Sequence, residues 1–133
     1  MTPNEVASLF VEAINTKRVD GIFELMTPNH VYIEPDGEEV KGRERMHEAW
    51  AEYFKIVPDY RIEVEEVFTR DNTVVFLGTA AGTFTKDGAL NPEYHWSVPA
   101  AWRAVVKSEQ IAVWQLYVNI EPIRRIMKRL GAA

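Results

Sequence analysis

The sequence predicts an α+β domain in which helices lead into a curved antiparallel sheet and cover one of its faces, with a short helix closing the chain. Three observations predict it. Apolar residues recur at helical spacing in the early part of the chain, up to Val57. From Arg61 onward, long β-branched and aromatic runs are separated by short polar turns. Helices grouped before strands, rather than alternating with them, are the pattern of a segregated α+β architecture.

Each element has its own signal. In TPNE, Thr2 is the N-cap, Pro3 the first helical residue and Glu5 the third after the cap, which makes a capping box. Val6, Leu9, Phe10, Ala13 and Ile14 then form one apolar stripe. Val19, Ile22, Phe23 and Met26 keep the same period in a second short helix, which TPN is expected to stop. Val31 to Pro35 reads as a strand with Tyr32 and Glu34 on one face and Val31 and Ile33 on the other. PDGEEVKG reads as a loop. A third helix follows, striped by Met46, Ala49, Trp50, Tyr53, Phe54 and Val57 and ended by PDY. RIEVEEVFT, TVVFLGTAAGTFT, YHWSVPAAWRAVV and QIAVWQLYVN are the long strands, with RDN, KDGALNP and KSE as turns. Pro122 opens the last helix, whose apolar side is Ile123, Ile126, Met127 and Leu130, and Gly131 caps it.

Composition narrows the function classes. At 133 residues the chain is expected to be one domain spanning 1–133, able to bury a core without staples. It has no cysteine, so disulfides and thiolate metal sites are excluded. A formal charge of −5 argues against a phosphate-backbone binder. The cations of IRRIMKRL fall on the solvent side of a short helix near its end, where positive charge suits the macrodipole, so no nucleic-acid or membrane contact is expected from them. The first residues lack a secretory leader pattern and no run is long enough to span a bilayer, so the expected location is cytoplasmic. The scattered histidines, His30, His47 and His95, have no paired acids at metal spacing, and no metal or cofactor is expected. His47 reads as a solvated helix residue and His30 as part of the turn before the first strand.

FVEAINTKRVDGIFELMTPNHVYIEPDG resembles the opening of bacterial ketosteroid isomerases, with N-x-x-x-x-D-G between the helices and an acid before Pro on the first strand. GRERMHEAW, VPDYRIEVEEV, VPAAWRAV and IAVWQLYVN are similar to the SnoaL-like polyketide cyclases of the nuclear transport factor 2-like superfamily. The resemblance runs from about Glu5 to Leu130. It implies a cystatin-like, cone-shaped half-barrel enclosing an apolar pocket against its concave face, usually in a homodimer. A superfamily of isomerases, dehydratases, hydrolases, cyclases and adaptors does not fix the reaction.

Glu34 matches the position of the isomerases' proton-shuttling carboxylate. At the edge of an apolar cavity such a group has its charged form desolvated, which moves its pKa toward the range of a general base. The other reading, a solvated residue at a loop mouth, stays open from the sequence alone. The isomerases' oxyanion donors match Phe10 and, within about a residue, Ala100, neither of which can donate, so that route of isomerisation is not expected. Where the cyclases and epoxide hydrolases end their last strand in an aspartate, WQLYVN ends in Asn119, which can hydrogen-bond but cannot shuttle a proton as an acid does. The hydrolases' Arg and Asp are also missing, because TVVFLGTAAGTFT has no charged residue.

His95 is the remaining candidate acid or base. Strict alternation puts Trp96, Val98, Ala100 and Trp102 on one face, the expected cavity wall, and His95 on the other, unless Pro99 introduces a bulge. Trp114 and Asn119 are of opposite parity, so both can face the cavity only if the last strand contains a bulge between them. The candidate site is therefore Glu34, Asn119 and His95 as reactive groups, with Tyr32, Tyr53, Trp50, Phe10, Trp96, Trp102, Trp114 and Tyr117 as walls. The expected function is binding of a small hydrophobic molecule, with cofactor-free isomerase, cyclase or lyase chemistry based on Glu34. A binding protein without turnover and a dimeric interaction module are the alternatives.

Overall fold

The computed structural model describes residues 1–131. Helix α1 runs Pro3–Asn15 and α2 Val19–Glu24; strand β1 is Met26–Ile33, β2 Glu39–Lys41, and helix α3 Arg43–Ile56. Strands β3 (Arg61–Arg70), β4 (Thr73–Thr83), β5 (His95–Lys107) and β6 (Gln110–Val118) follow, and α4 covers Glu121–Leu130. The sheet is ordered β2-β1-β6-β5-β4-β3. Neighbours are antiparallel except β1 and β6, which run parallel.

The local signals act as read. Thr2 Oγ1 accepts from the Glu5 N–H at 3.2 Å and Glu5 Oε1 accepts from the Thr2 N–H at 3.0 Å, closing the capping box. Val6, Phe10, Ala13 and Ile14 are buried, whereas Leu9 is 37% exposed at the border of the stripe. Gly131 ends α4 at φ 72°, the left-handed conformation a glycine takes without strain. The β5–β6 hairpin turns on Ser108 and Glu109, both with positive φ, which matches the twist of its flanking strands.

Four expectations are corrected. Helix α2 ends at Glu24, so Met26 is not its last apolar residue, and TPN lies inside β1 instead of stopping a helix. His30 is not in a turn: it is fully buried within β1, where Nδ1 lies 2.7 Å from the Ile111 carbonyl oxygen. The register of β1 against β6 shifts between Met26 and Val31, and the imidazole N–H reaches a carbonyl on the partner strand within that shift. PDGEEVKG is not all loop, because Glu39–Lys41 pairs with β1. Pro99 makes no bulge, since β4 and β5 stay in continuous register from Thr83↔His95 to Thr73↔Val105.

Curvature has a visible cause in β3, whose register against β4 shifts between Val64 and Glu66. Opposite that shift Gly78 lets the strands approach; a Cβ there would lie 1.8 Å from the Glu63 carbonyl oxygen. Helix α1 packs on β3 to β6, and α3 on β1 and β2. Between them lies a core built on Phe10, Phe76, Trp102 and Trp114.

Candidate functional site

A cavity of about 270 Å³ opens between α3 and the β1 end of the sheet. Helix α3 supplies Met46, Ala49, Trp50 and Tyr53, one helical face at spacings of three and four. Tyr32 projects from β1 opposite Val40 of β2, and both line the cavity. Leu116 of β6 lies two residues beyond Trp114, the partner of Tyr32, and so continues the same face. Tyr60, between α3 and β3, adds a further wall, and Glu34 sits at the rim.

The Pro-Asp-Gly segment explains Glu34's position. The Gly37 N–H donates to the Glu34 carbonyl at 2.8 Å, and the Glu34 N–H donates to the Glu38 carbonyl at 2.9 Å. Asp36 Oδ1 accepts from the Glu38 N–H at 2.9 Å, an Asx-type turn that pins the loop. The backbone of Glu34 is thereby satisfied locally, while its half-buried side chain shares the cavity with Tyr32. Burial raises the Glu34 pKa above the ordinary carboxylate value, and the negative charges of Asp36 and Glu38 push it the same way.

Burial pushes the Tyr32 hydroxyl up to about 12, assisted by Glu34. Tyr53 is raised well above the ordinary phenol value, by burial first and then by Tyr60, Tyr32 and Asp59. Tyr60 is raised by burial first and then by Tyr32, and the Trp102 Nε1 is buried without a hydrogen-bond partner. All three phenols are neutral near physiological pH and able to donate. Trp50 Nε1 is likewise buried without a partner. The rings of Trp50 and Tyr53 meet at 6.2 Å and 82°, and those of Tyr53 and Tyr60 at 5.2 Å and 81°.

Four of the sequence candidates therefore meet in one hollow: Glu34, Tyr32, Trp50 and Tyr53. Phe10, Trp96, Trp102 and Trp114 face the concave side but are core, with Phe10 and Trp114 packed edge to face at 4.9 Å. Asn119 is exposed and does not reach the cavity, and its Oδ1 accepts the Glu121 N–H at 3.1 Å at the start of α4. Parity decides this. The β5–β6 register is unbroken from Val105↔Val113 to Ala100↔Val118, so no bulge separates Trp114 from Asn119. Tyr117 shares that outer face and is 52% exposed.

His95 is also exposed, on the face opposite Trp96. Its Nδ1 lies 3.0 Å from Thr83 Oγ1, which donates to Asp59 Oδ2 at 2.7 Å, while the Thr83 N–H donates to Asp59 Oδ1 at 2.7 Å. His47 is on the surface with Nε2 2.8 Å from Asp20. No group of His, Asp and Glu able to hold a metal ion occurs among the described residues. The sequence reading missed Tyr60, which belongs to no periodic element; the signal was an aromatic residue set directly after the end of an aromatic helix stripe. Leu116 was within reach of the reading, through its shared parity with Trp114.

The fold has known counterparts. A family model of the SnoaL-like domain matches residues 7–116. The chain belongs to the SnoaL-like domain family. Solved structures similar to this SnoaL-like domain include a SnoaL-like polyketide cyclase, so described, from Shewanella denitrificans, with a TM-score of 0.82 at 10% identity over 96% of this chain and 97% of that one. A protein of ketosteroid isomerase-like fold from Catenulispora acidiphila, in complex with trimethylamine, has a TM-score of 0.77 at 18% identity over 92% and 91%. An epoxide hydrolase of M. tuberculosis has 0.78 at 14% over 96% and 91%. At these identities the likeness is one of fold. No curated protein matches this SnoaL-like domain. No helix among its described residues is long and apolar enough to cross a membrane.

Proposed function

We propose that this SnoaL-like domain binds a small, largely hydrophobic carbonyl compound in the cavity beside α3, and that Glu34 moves a proton on it in an isomerase, cyclase or lyase type of reaction without a cofactor. One observation carries the reading: the cavity joins a carboxylate of raised pKa to three neutral tyrosine hydroxyls. A base that creates an enolate needs donors for the developing oxyanion, each worth roughly 3 kcal/mol. Phe10 cannot supply one, but Tyr32, Tyr53 and Tyr60 can. The names of the neighbouring structures support catalysis on small organic molecules, and the trimethylamine held by the Catenulispora protein supports a small occupant.

A second reading, ligand binding without turnover, is favoured by a specific observation. Of Glu34, Asn119 and His95, only Glu34 lines the cavity. Replacing Glu34 with Gln separates the two. Proton transfer predicts that turnover disappears while affinity for an uncharged carbonyl compound changes little; a wild-type protein inert across small carbonyl compounds that it nonetheless binds supports the second reading.

For the partner, a second copy of this chain is proposed on the outer face of the sheet. Leu77, Ala101 and Tyr117 form one cross-strand row there, with Leu77 and Tyr117 exposed and Phe68 exposed on the neighbouring strand. An exposed row of this kind suits an apolar partner.

A further inference from the structure

The charge census of the cavity constrains its occupant. Its walls include Tyr32, Trp50, Tyr53 and Tyr60, and the one charged residue among them, Glu34, is negative. Among the described residues, no Lys, Arg or His lines it. Asp36 and Glu38 lie in the same turn as Glu34 and deepen the negative potential at the mouth. The nearby Lys41 is directed to Glu39, 3.8 Å away. An anionic ligand would give up its hydration for repulsion. A cation would meet both the carboxylate and the negative faces of aromatic rings.

We infer that the occupant carries an alkylated ammonium group, held against Trp50, Tyr53 and Tyr60 and paired with Glu34. The inference rests on the reading of this cavity as the ligand site, but not on turnover. Two features favour an alkylated nitrogen over a primary one. A primary ammonium brings three N–H donors, each of which needs an acceptor once buried. Apart from Glu34, the phenol oxygens and the Trp50 indole, whose N–H can only donate, the walls are the apolar side chains of Val40, Met46, Ala49 and Leu116. A methylated nitrogen asks for few or no acceptors and packs on apolar walls. The rings are also not arranged as parallel slabs for a flat ligand: Trp50 and Tyr53 stand at 82°, Tyr53 and Tyr60 at 81°. Walls of differing orientation suit a rounded group, and about 270 Å³ leaves room for that group and a short chain.

The test compares choline with 3,3-dimethylbutan-1-ol, which has carbon in place of nitrogen and the same shape. Calorimetry gives the affinities, and the Trp50 indole N–H resonance of the full chain reports occupancy of the cavity. The inference predicts that choline shifts that resonance and binds about tenfold or more tightly than the alcohol. Glu34→Gln is expected to remove about tenfold of the choline affinity and to leave that of the alcohol unchanged. Glu34→Asp, which keeps the charge, is expected to retain most of it. Equal or tighter binding of the alcohol overturns the inference, as does choline binding that ignores Glu34→Gln. If the alcohol shifts Trp50 and choline does not, the cavity remains a ligand site and only the ammonium falls. If neither compound reaches Trp50, the ammonium is overturned, and the proton-transfer reading is judged separately by the turnover of the Glu34→Gln variant.

Discussion

His30 Nδ1 lies 2.7 Å from the backbone carbonyl oxygen of Ile111, so this fully buried imidazole holds β1 to β6 where their register shifts. The carbonyl can only accept, which places the proton on Nδ1 and leaves Nε2 as a buried lone pair without a partner. Burial lowers the His30 pKa below its ordinary 6.5, and the hydrogen bond to Ile111 opposes this only in part. The neutral ring is therefore the folded form. Its stabilising contribution is complete above the unfolded value of 6.5 and is lost as pH falls through the lower folded value. Urea midpoints should decline as pH drops below about 6.5. His30→Phe should remove that part of the decline and cost about 1–3 kcal/mol at neutral pH, because the Ile111 carbonyl loses its donor.

Gly78 should not tolerate a side chain. The Cβ of Gly78→Ala would sit 1.8 Å from the Glu63 carbonyl oxygen, which is backbone and cannot swing aside. Thermal melts should show a loss of about 1–3 kcal/mol. An unchanged melt would mean that β3 and β4 are not in this close register.

The two results concern parts of the fold that differ in how plainly the sequence spells them. The capping box at Thr2, the α3 stripe and the turn at Ser108 and Glu109 depend on neighbouring residues, so local pattern suffices to place them. The beginning of β1 is different: Thr27, Pro28 and Asn29 are turn formers, and their place in a strand comes from pairing across the sheet. The parallel alignment of β1 with β6 joins segments far apart in the chain and leaves no local trace. For the cavity, period-two and helical spacing were enough to bring Tyr32 to Glu34 and Trp50 to Tyr53. Tyr60 leaves no periodic signal because it lies between elements, and at Asn119 family position and strand parity disagree.

Glu34 should cost the domain stability. Its folded pKa lies above the ordinary 4.5, so the native state holds that proton more tightly than the unfolded chain does. Stability from this group is fully present below 4.5 and is lost as pH rises through the raised folded value. Glu34→Gln is therefore expected to raise the melting temperature near neutral pH and to change it little at about pH 4. A variant less stable than the parent at neutral pH would point to a structural ion pair at Glu34 instead.

The outer face gives a separate prediction. Sedimentation should show a mass that rises with concentration toward that of two chains, and Leu77→Arg with Tyr117→Arg should hold the chain as a monomer. Both positions are exposed, so the variants should keep their melting temperature when dilute. A wild-type chain that stays monomeric throughout removes the proposed partner.

Amide and indole resonances followed during a screen of small carbonyl and amine compounds show whether the hollow beside α3 is where this domain takes its ligand. Binders should move the Trp50 indole N–H together with the amides of Tyr32, Glu34 and Tyr60, and leave those of His95 and Asn119 in place. Binders that move His95, Asn119 or the outer strands while Trp50 stays still would contradict it.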